Sequence, residues 1–387
     1  MESIKDKVAV IGMGCTKFGE RWDAGVDDLI IEAAYEAYED AGIEPKQIQA
    51  AWAGTNTSGM SGYTIGGPLK LNQIPITRCE NYCATGSDAF RNACFAVAAG
   101  VYDLVLVVGV EKLKDTGRGG LGGVGSTVFQ PAAQTAYGVP AAYFGLPFIK
   151  HNATFGTQRE HLAKIAVKNH HNGTMAEKAH FRREITVEQA LNAPLIAWPL
   201  GLFDCCAVSD GCAAAIVCRA DMAKSFNKDY VLLKGTGFAC EPHVHMWNPS
   251  HDYLHWETTV QAGKQAYKDA GITNPFKQVS MAEVHDCFTM TELLIYEDLG
   301  FCPKGEAKDY IDSGAFTLEG ELPVNTDGGL KCFGHPIGAS GLRMLYEVYK
   351  QLQGKAGQRQ IKDASIGLAN NLGGLPHVAS VIILGRD

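Results

Sequence analysis

The chain has 387 residues, 46% hydrophobic and 20% charged, enough for two folded domains and unlike a disordered polypeptide. Its net charge of −8 argues against non-specific nucleic-acid binding. Twelve cysteines without a C-x-x-C pair suggest neither a disulfide framework nor a zinc ribbon, and no metal site is expected. In chain order, Val8-Ala9-Val10-Ile11-Gly12 predicts a buried strand, and the turn after it lacks the third glycine of a dinucleotide fingerprint. Residues 27–42 carry Leu29, Ile30, Ala33, Ala34 and Ala37 at helical spacing and stop at Gly42, a good C-terminal cap. Ala51 to Thr55 predicts a second strand, Ala89 to Gly100 a helix of small residues, and Leu104 to Gly109 an apolar buried strand. Strands alternating with helices predict an α/β fold.

From about 115 to 200 the alternation is lost. Gly117-Arg118-Gly119-Gly120-Leu121-Gly122 has the form G-x-G-x-x-G but joins no strand to a helix, so it reads as flexible backbone near a site. His151 to Asn172 is helical and partly basic, an insertion suited to covering a substrate pocket. Ala207 to Val217 returns to the sheet. His243, His245, His251 and His255 surround Trp247 and Trp256; no carboxylate or cysteine pattern completes a metal geometry, so a substrate-facing loop is expected. No apolar run is long enough to span a bilayer and no signal core follows Met1, which predicts a soluble cytoplasmic protein.

The second half echoes the first. Ala37-Tyr38-Glu39-Asp40-Ala41-Gly42-Ile43 and Ala266-Tyr267-Lys268-Asp269-Ala270-Gly271-Ile272 agree at six of seven positions. A strand follows each copy, then a polar loop, then a helix start rich in small residues, at Cys83 and at His335. A final apolar strand closes each, Leu104 to Val108 and Ser380 to Leu384. This order of elements predicts an internal duplication, with halves at 1–228 and 229–387 and the insertion inside the first.

Glu80-Asn81-Tyr82-Cys83-Ala84-Thr85-Gly86-Ser87 places a cysteine at a helix start, where unpaired N–H groups and the helix dipole favour the thiolate. A cysteine alone is more often inert core. His285-Asp286-Cys287-Phe288 and Gly334-His335-Pro336-Ile337-Gly338-Ala339-Ser340-Gly341 supply further reactive groups and point to an enzyme.

With Gly12-x-Gly14-x-Thr16-Lys17-Phe18, Lys168-Asn169-His170 and Ser209-Asp210-Gly211, these blocks run along the whole chain in the order found in the thiolase superfamily. They resemble its sterol-carrier-protein-type and archaeal-type branch. The resemblance implies two similar α/β halves in a five-layered αβαβα core with an inserted loop domain. Commoner thiolases carry Asn-Glu-Ala-Phe where this chain has His285-Asp286-Cys287-Phe288, and a cysteine where it has Asn371. In the resembled branch the second cysteine comes from the His-Asp-Cys-Phe block, which is Cys287 here.

The roles implied are Cys83 as acyl acceptor, His335 as its base holding the thiolate in an ion pair, and Cys287 as second acid and base. His285 would donate to the thioester oxygen, and the N–H groups of Cys83 and Gly373 would form an oxyanion hole. Coenzyme A would be a substrate, with no permanently bound cofactor. A homodimer core and a small zinc-ribbon/OB-fold partner subunit are further implications, without nucleic acid or membrane. The aromatic loop at Trp247, Tyr253 and Trp256 favours a bulky acyl group, as in benzoylsuccinyl-CoA; acetoacetyl-CoA is the alternative. A hydroxymethylglutaryl-CoA or ketoacyl synthase, or a non-catalytic lipid-binding subunit, are the rival readings.

Overall fold

The seven-residue echo is an echo of structure. In the computed structural model, which describes residues 3–116, 140–226, 228–241 and 251–386, both copies end a helix in the same way. Gly42 and Gly271 adopt φ of 68° and 78°, a left-handed conformation that a side chain resists. The following isoleucines donate to the tyrosine carbonyls five residues back, Ile43 to Tyr38 at 3.1 Å and Ile272 to Tyr267 at 2.9 Å. The matched Tyr, Gly and Ile are the residues that this cap uses.

The first half runs β1 (Val8–Cys15), α1 (Val26–Ala41), β2 (Ala50–Gly54), β3 (Ile76–Cys79), α2 (Thr85–Ala98) and β4 (Leu104–Glu111). The insertion contributes α3 (Pro140–Phe155), α4 (Arg159–Thr174) and the short pair β5 (Leu195–Ala197) and β6 (Leu200–Gly201), before β7 (Gly211–Arg219) completes the half. The second half is β8 (Val231–Cys240), α5 (Glu257–Ala270), β9 (Met281–Val284), α6 (Thr289–Asp298), α7 (Ile337–Leu352), β10 (Ile366–Gly373) and β11 (Val378–Gly385).

The strands form one sheet in the order β3-β2-β4-β7-β1-β8-β11-β10-β9, joined at a seam where Ala9 and Val10 face Leu232 and Val231. Outward from the seam each half has the same pairing. β1–β7 and β7–β4 are antiparallel and β4–β2 parallel. Likewise, β8–β11 and β11–β10 are antiparallel and β10–β9 parallel. This corrects one equivalence read from the sequence. Leu104 to Val108 corresponds to β10, and Ser380 to Leu384 corresponds to β7. Apolar content matches two strands that topology does not; β10 carries Asn370 and Asn371 and is the less apolar.

Five layers result. Ala9 and Ile11 of β1 pack on α1, while Val8, Val10 and Met13 pack on a central layer of α2 and α7. The second half-sheet gives Ile382 and Leu384 to that same central layer, and Val381 and Ile383 to the outer layer of α5 and α6. Each buried valine, leucine, isoleucine or methionine among these contributes about 1.5–3 kcal/mol over exposure. Glycine lets the two central helices touch: a Cβ on Gly86 of α2 would stand 2.8 Å from the Gly338 carbonyl, and one on Gly341 of α7 would stand 2.5 Å from the Ser87 nitrogen. The starts of α2 and α7, preceded by Cys83 and His335, are thereby brought together. No helix among the described residues is long and apolar enough to cross a membrane.

Candidate active site

Cys83 precedes Thr85, the first residue of α2, by two positions, so it lies just ahead of the helix rather than in its first turn. Tyr82 before it takes φ of 52°, a left-handed conformation costing on the order of 1 kcal/mol that presents the cysteine on a tight bend. Cys83 is half-buried as a residue, but its sulfur is deep enough that burial pushes the thiol up to about 12. The Gly374 N–H pulls the other way and the Glu111 carboxylate adds to the rise. Desolvation therefore outweighs the helix-dipole effect expected from sequence.

His335 comes from the loop opening α7. Its Nδ1 lies 2.7 Å from Ser340 Oγ, and that hydroxyl donates its own hydrogen to the Pro336 carbonyl at 2.9 Å. Ser340 can then only accept, so the histidine proton sits on Nδ1 and the lone pair on Nε2. Nε2 is buried without a hydrogen-bond partner. Burial holds His335 down to about 3, with the buried Arg343 guanidinium adding to the effect. Burial thus favours the neutral form of both groups, opposite in direction to the ion pair that the resemblance implies.

His285 follows β9 and makes the opposite choice. Its Nδ1 accepts from the Leu372 N–H at 3.3 Å and from Asn371 Nδ2 at 2.9 Å, so its proton belongs on Nε2. Burial holds it well below the ordinary histidine value, with His335 and Arg343 contributing. The two imidazoles meet edge to face at 5.2 Å. One ligand atom each of Cys83, His285 and His335 lies within 4.8 Å of the others, which among the described residues is the one such His/Cys/Asp/Glu group tight enough for a metal ion. The site thus gathers a thiol, an imidazole that can accept a proton and an imidazole that can donate one.

Family models decide what kind of protein holds this set. A thiolase N-terminal domain matches residues 8–221, and a domain described as thiolase C-terminal domain-like matches residues 242–386. The chain belongs to the thiolase family. It is 38% identical over 385 residues to the acetyl-CoA acetyltransferase of Methanothermobacter thermautotrophicus, covering 98% of this chain and 99% of that one. Sterol carrier protein 2 of Gallus gallus is 33% identical (95% and 70% covered), and the benzoylsuccinyl-CoA thiolase subunit BbsB of Thauera aromatica 32% identical (93% and 92%). Among solved structures, the Ltp2-ChsH2(DUF35) aldolase superposes with a TM-score of 0.86 at 26% identity, covering 100% of this chain and 99% of that one. The protein is an acyltransferase of the thiolase family.

In this thiolase Cys287 is buried, with Sγ 3.7 Å from Thr291 Oγ1, and burial pushes its thiol well above the ordinary value, with Cys206 and Cys83 adding to the rise. Asp286 anchors the loop between the two reactive side chains: it accepts from the Leu330 N–H at 2.6 Å and from Asn169 Nδ2 at 2.9 Å. Asn169 also donates to Glu292 at 2.6 Å, so the Lys168-Asn169-His170 segment of α4 braces the site from the insertion. Gly373 ends β10 against Asn81 and Tyr82, and it is Gly374, one residue on, whose N–H reaches the Cys83 thiol.

Sequence reasoning missed Cys206, whose N–H donates to the Cys287 carbonyl at 2.9 Å and whose thiol is affected by Cys83. An adjacent Cys-Cys pair carries no signal of its own. It also missed the hub at Glu111, which accepts from the Asn56, Thr57 and Ser58 N–H groups at 2.8–2.9 Å and from the Gly338 N–H at 3.1 Å.

Trp256 departs from expectation. It is 3% exposed, packed on Phe144 in the core rather than lining a substrate loop. His255 pairs with Asp252 at 3.0 Å, and His251 lies against Tyr253. His243, His245, Trp247 and the Gly117–Gly125 loop lie outside the described residues.

Proposed function

We propose that the chain is a biosynthetic or degradative thiolase working through acyl-Cys83, with acetyl- and acetoacetyl-CoA as the first substrates to test. The observation carrying this reading is the complementary pair of histidine tautomers around one thiol. In thiolysis, Cys83 would pass its proton to His335 Nε2 as its sulfur attacks the 3-keto carbon. The C2–C3 bond then breaks, leaving the acyl group on sulfur and an enolate on the departing acyl-CoA. His285 Nε2–H would donate to the enolate oxygen while the Cys287 thiol protonates C2. The resulting Cys287 thiolate would take the proton of incoming coenzyme A, whose sulfur attacks the acyl-enzyme and releases Cys83, which takes its proton back from His335. Coenzyme A is thus a substrate, and no permanent cofactor enters. The N–H groups of Cys83 and the Gly373-Gly374 turn suit the oxyanion of the tetrahedral intermediates.

The small acyl group is favoured because an acetyl-CoA acetyltransferase aligns over nearly all of both chains and because Trp256, which had argued for a bulky substrate, is core. The second reading, an aromatic β-oxoacyl-CoA, is supported by the likeness to the benzoylsuccinyl-CoA thiolase subunit. A homodimer core with a small partner subunit accords with that relative's description as a subunit and with the second component named in the aldolase structure.

Intact-protein mass spectrometry with a panel from acetyl-CoA to benzoyl-CoA, with and without a co-purifying subunit, tests the reading. One acyl group gained, and lost in Cys83→Ser, supports it and identifies the substrate class. No adduct from any thioester overturns it. Cys287→Ala separates the rivals: a thiolase loses most turnover, whereas a condensing synthase retains it.

A further inference from the structure

Asn371 occupies the place where the resemblance puts a second cysteine, but the structure gives it a partner of its own. The Leu372 main-chain N–H can only donate, so at 3.3 Å it fixes His285 Nδ1 as an acceptor without a proton. Asn371 must then turn its amide NH2 to the same nitrogen, at 2.9 Å. Its Oδ1 is left for Ser87 Oγ, which donates to it at 3.3 Å from α2. Both Asn371 and Ser87 are buried. The chain Ser87–Asn371–His285 therefore joins the helix behind the nucleophile to the loop after β9.

We propose that Asn371 is a positioning residue which, with the Leu372 N–H, locks His285 as its Nε2–H tautomer, making it a donor toward the substrate oxygen and denying a metal ion the third ligand of the Cys83–His285–His335 triangle. The first half of this rests on the thiolase reading; the second does not. Metal-binding histidines ordinarily donate their far N–H to an acceptor, which frees the near nitrogen's lone pair. His335 has that arrangement through Ser340. One ring nitrogen of each histidine and the Cys83 sulfur lie within 4.8 Å of one another, and if both histidines had that arrangement the Nε2 lone pairs and a thiolate would make a set that suits zinc or cobalt after small side-chain movements. Donors at His285 Nδ1 prevent this.

The experiment compares wild type, Asn371→Asp and Asn371→Leu at alkaline pH, where the new carboxyl is ionised, using 15N-histidine NMR, turnover, acyl-adduct mass spectrometry and cobalt(II) titration. Wild type should show His285 protonated on Nε2. Asn371→Asp should show it on Nδ1, lose turnover by about 10²–10³-fold, as when one oxyanion donor is removed, and still form the acyl adduct on Cys83 to within a few-fold. It should bind one cobalt with a thiolate charge-transfer band that Cys83→Ser abolishes; wild type should not. Asn371→Leu keeps the Leu372 donor and should lose less turnover than Asn371→Asp. A purely structural role predicts the reverse order, since aspartate preserves shape and leucine does not. The proposal is overturned if wild-type His285 is protonated on Nδ1, if Asn371→Asp turns over like wild type, or if wild type binds cobalt as tightly as the variant. Absence of an acyl adduct in wild type would instead sink the thiolase reading, leaving the tautomer and cobalt results to decide the rest.

Discussion

The two halves share strand pairing, helix caps and the meeting of their core helices, yet divide the chemistry unequally. The loop after β2 and the loop after β9 are equivalent in the repeat. In the first half, Thr55 to Ser58 wrap their N–H and hydroxyl groups around the Glu111 carboxylate, which spends the loop on structure. In the second half the anchor lies within the loop itself: Asp286 takes the main-chain N–H groups and Asn169, leaving His285 and Cys287 on either side of it to face the site. The core-helix starts diverge too, with a nucleophile before α2 and a base before α7. Duplication supplied a frame with two equivalent openings, and asymmetry at those openings made one active site out of two.

The sharpest way to break that division is to remove one group from each helix start. Cys83→Ala should abolish the acyl adduct altogether. His335→Ala should slow adduct formation by on the order of 10²–10⁴-fold, the usual worth of a general base. The pH profile of acylation carries the same argument. An unperturbed histidine with pKa 6.5 would give an acid limb near that value, but His335 is held down to about 3 and stays neutral, hence competent, as pH falls through 6.5. Acylation by an acyl-CoA should show no acid limb between the ordinary histidine value and the onset of acid unfolding; a limb at 6.5 would contradict the buried neutral pair.

Next in size are the two loop anchors. Glu111→Ala strands several part-buried donors, each at the low end of about 1–3 kcal/mol, and should lower unfolding free energy by roughly 3 kcal/mol, read by denaturant titration. Asp286→Asn should cost less, and its cost should depend on pH. Burial raises Asp286 to about 7 from 3.8, so the wild-type carboxyl takes up its proton more readily folded than unfolded. Wild type should gain stability relative to Asp286→Asn as pH falls from about 7 toward 3.8, and lose that gain as pH rises through 7.

Much of this contrast was legible in the sequence because it rests on local signals. The six-residue match at Gly42 and Gly271 encodes a cap, and the blocks around Cys83, His285 and His335 are contiguous. What could not be read depends on packing between distant segments. The rise of the Cys83 thiol comes from burial, which local helix position does not reveal. Beside histidines, Trp256 reads as a pocket residue, and the approach of Phe144 from the insertion makes it core. Cys206 reaches the site through one main-chain hydrogen bond to Cys287, 81 positions away by number. Asn371 reads as a missing cysteine because its gain, one side-chain donor to His285 beside that of the Leu372 N–H, exists only once β10 lies beside β9.

Two smaller perturbations test the frame itself. Gly86→Ala forces α2 away from the Gly338 carbonyl and should cost about 1–3 kcal/mol, with acylation slowed because Cys83 and His335 are moved apart. The caps should respond most weakly and most evenly. Gly42→Ala and Gly271→Ala each place a methyl group on a residue at φ of 68° or 78°, with no heavy atom closer than 3.7 Å to collide with. The cost is then the left-handed backbone alone, about 1 kcal/mol at either site. Equal losses in denaturant unfolding, with acyl-adduct formation unchanged in both, would mean that the repeat's shared element is purely structural. A loss at one cap that also slows acylation would mean that the asymmetry between the halves extends beyond their loops.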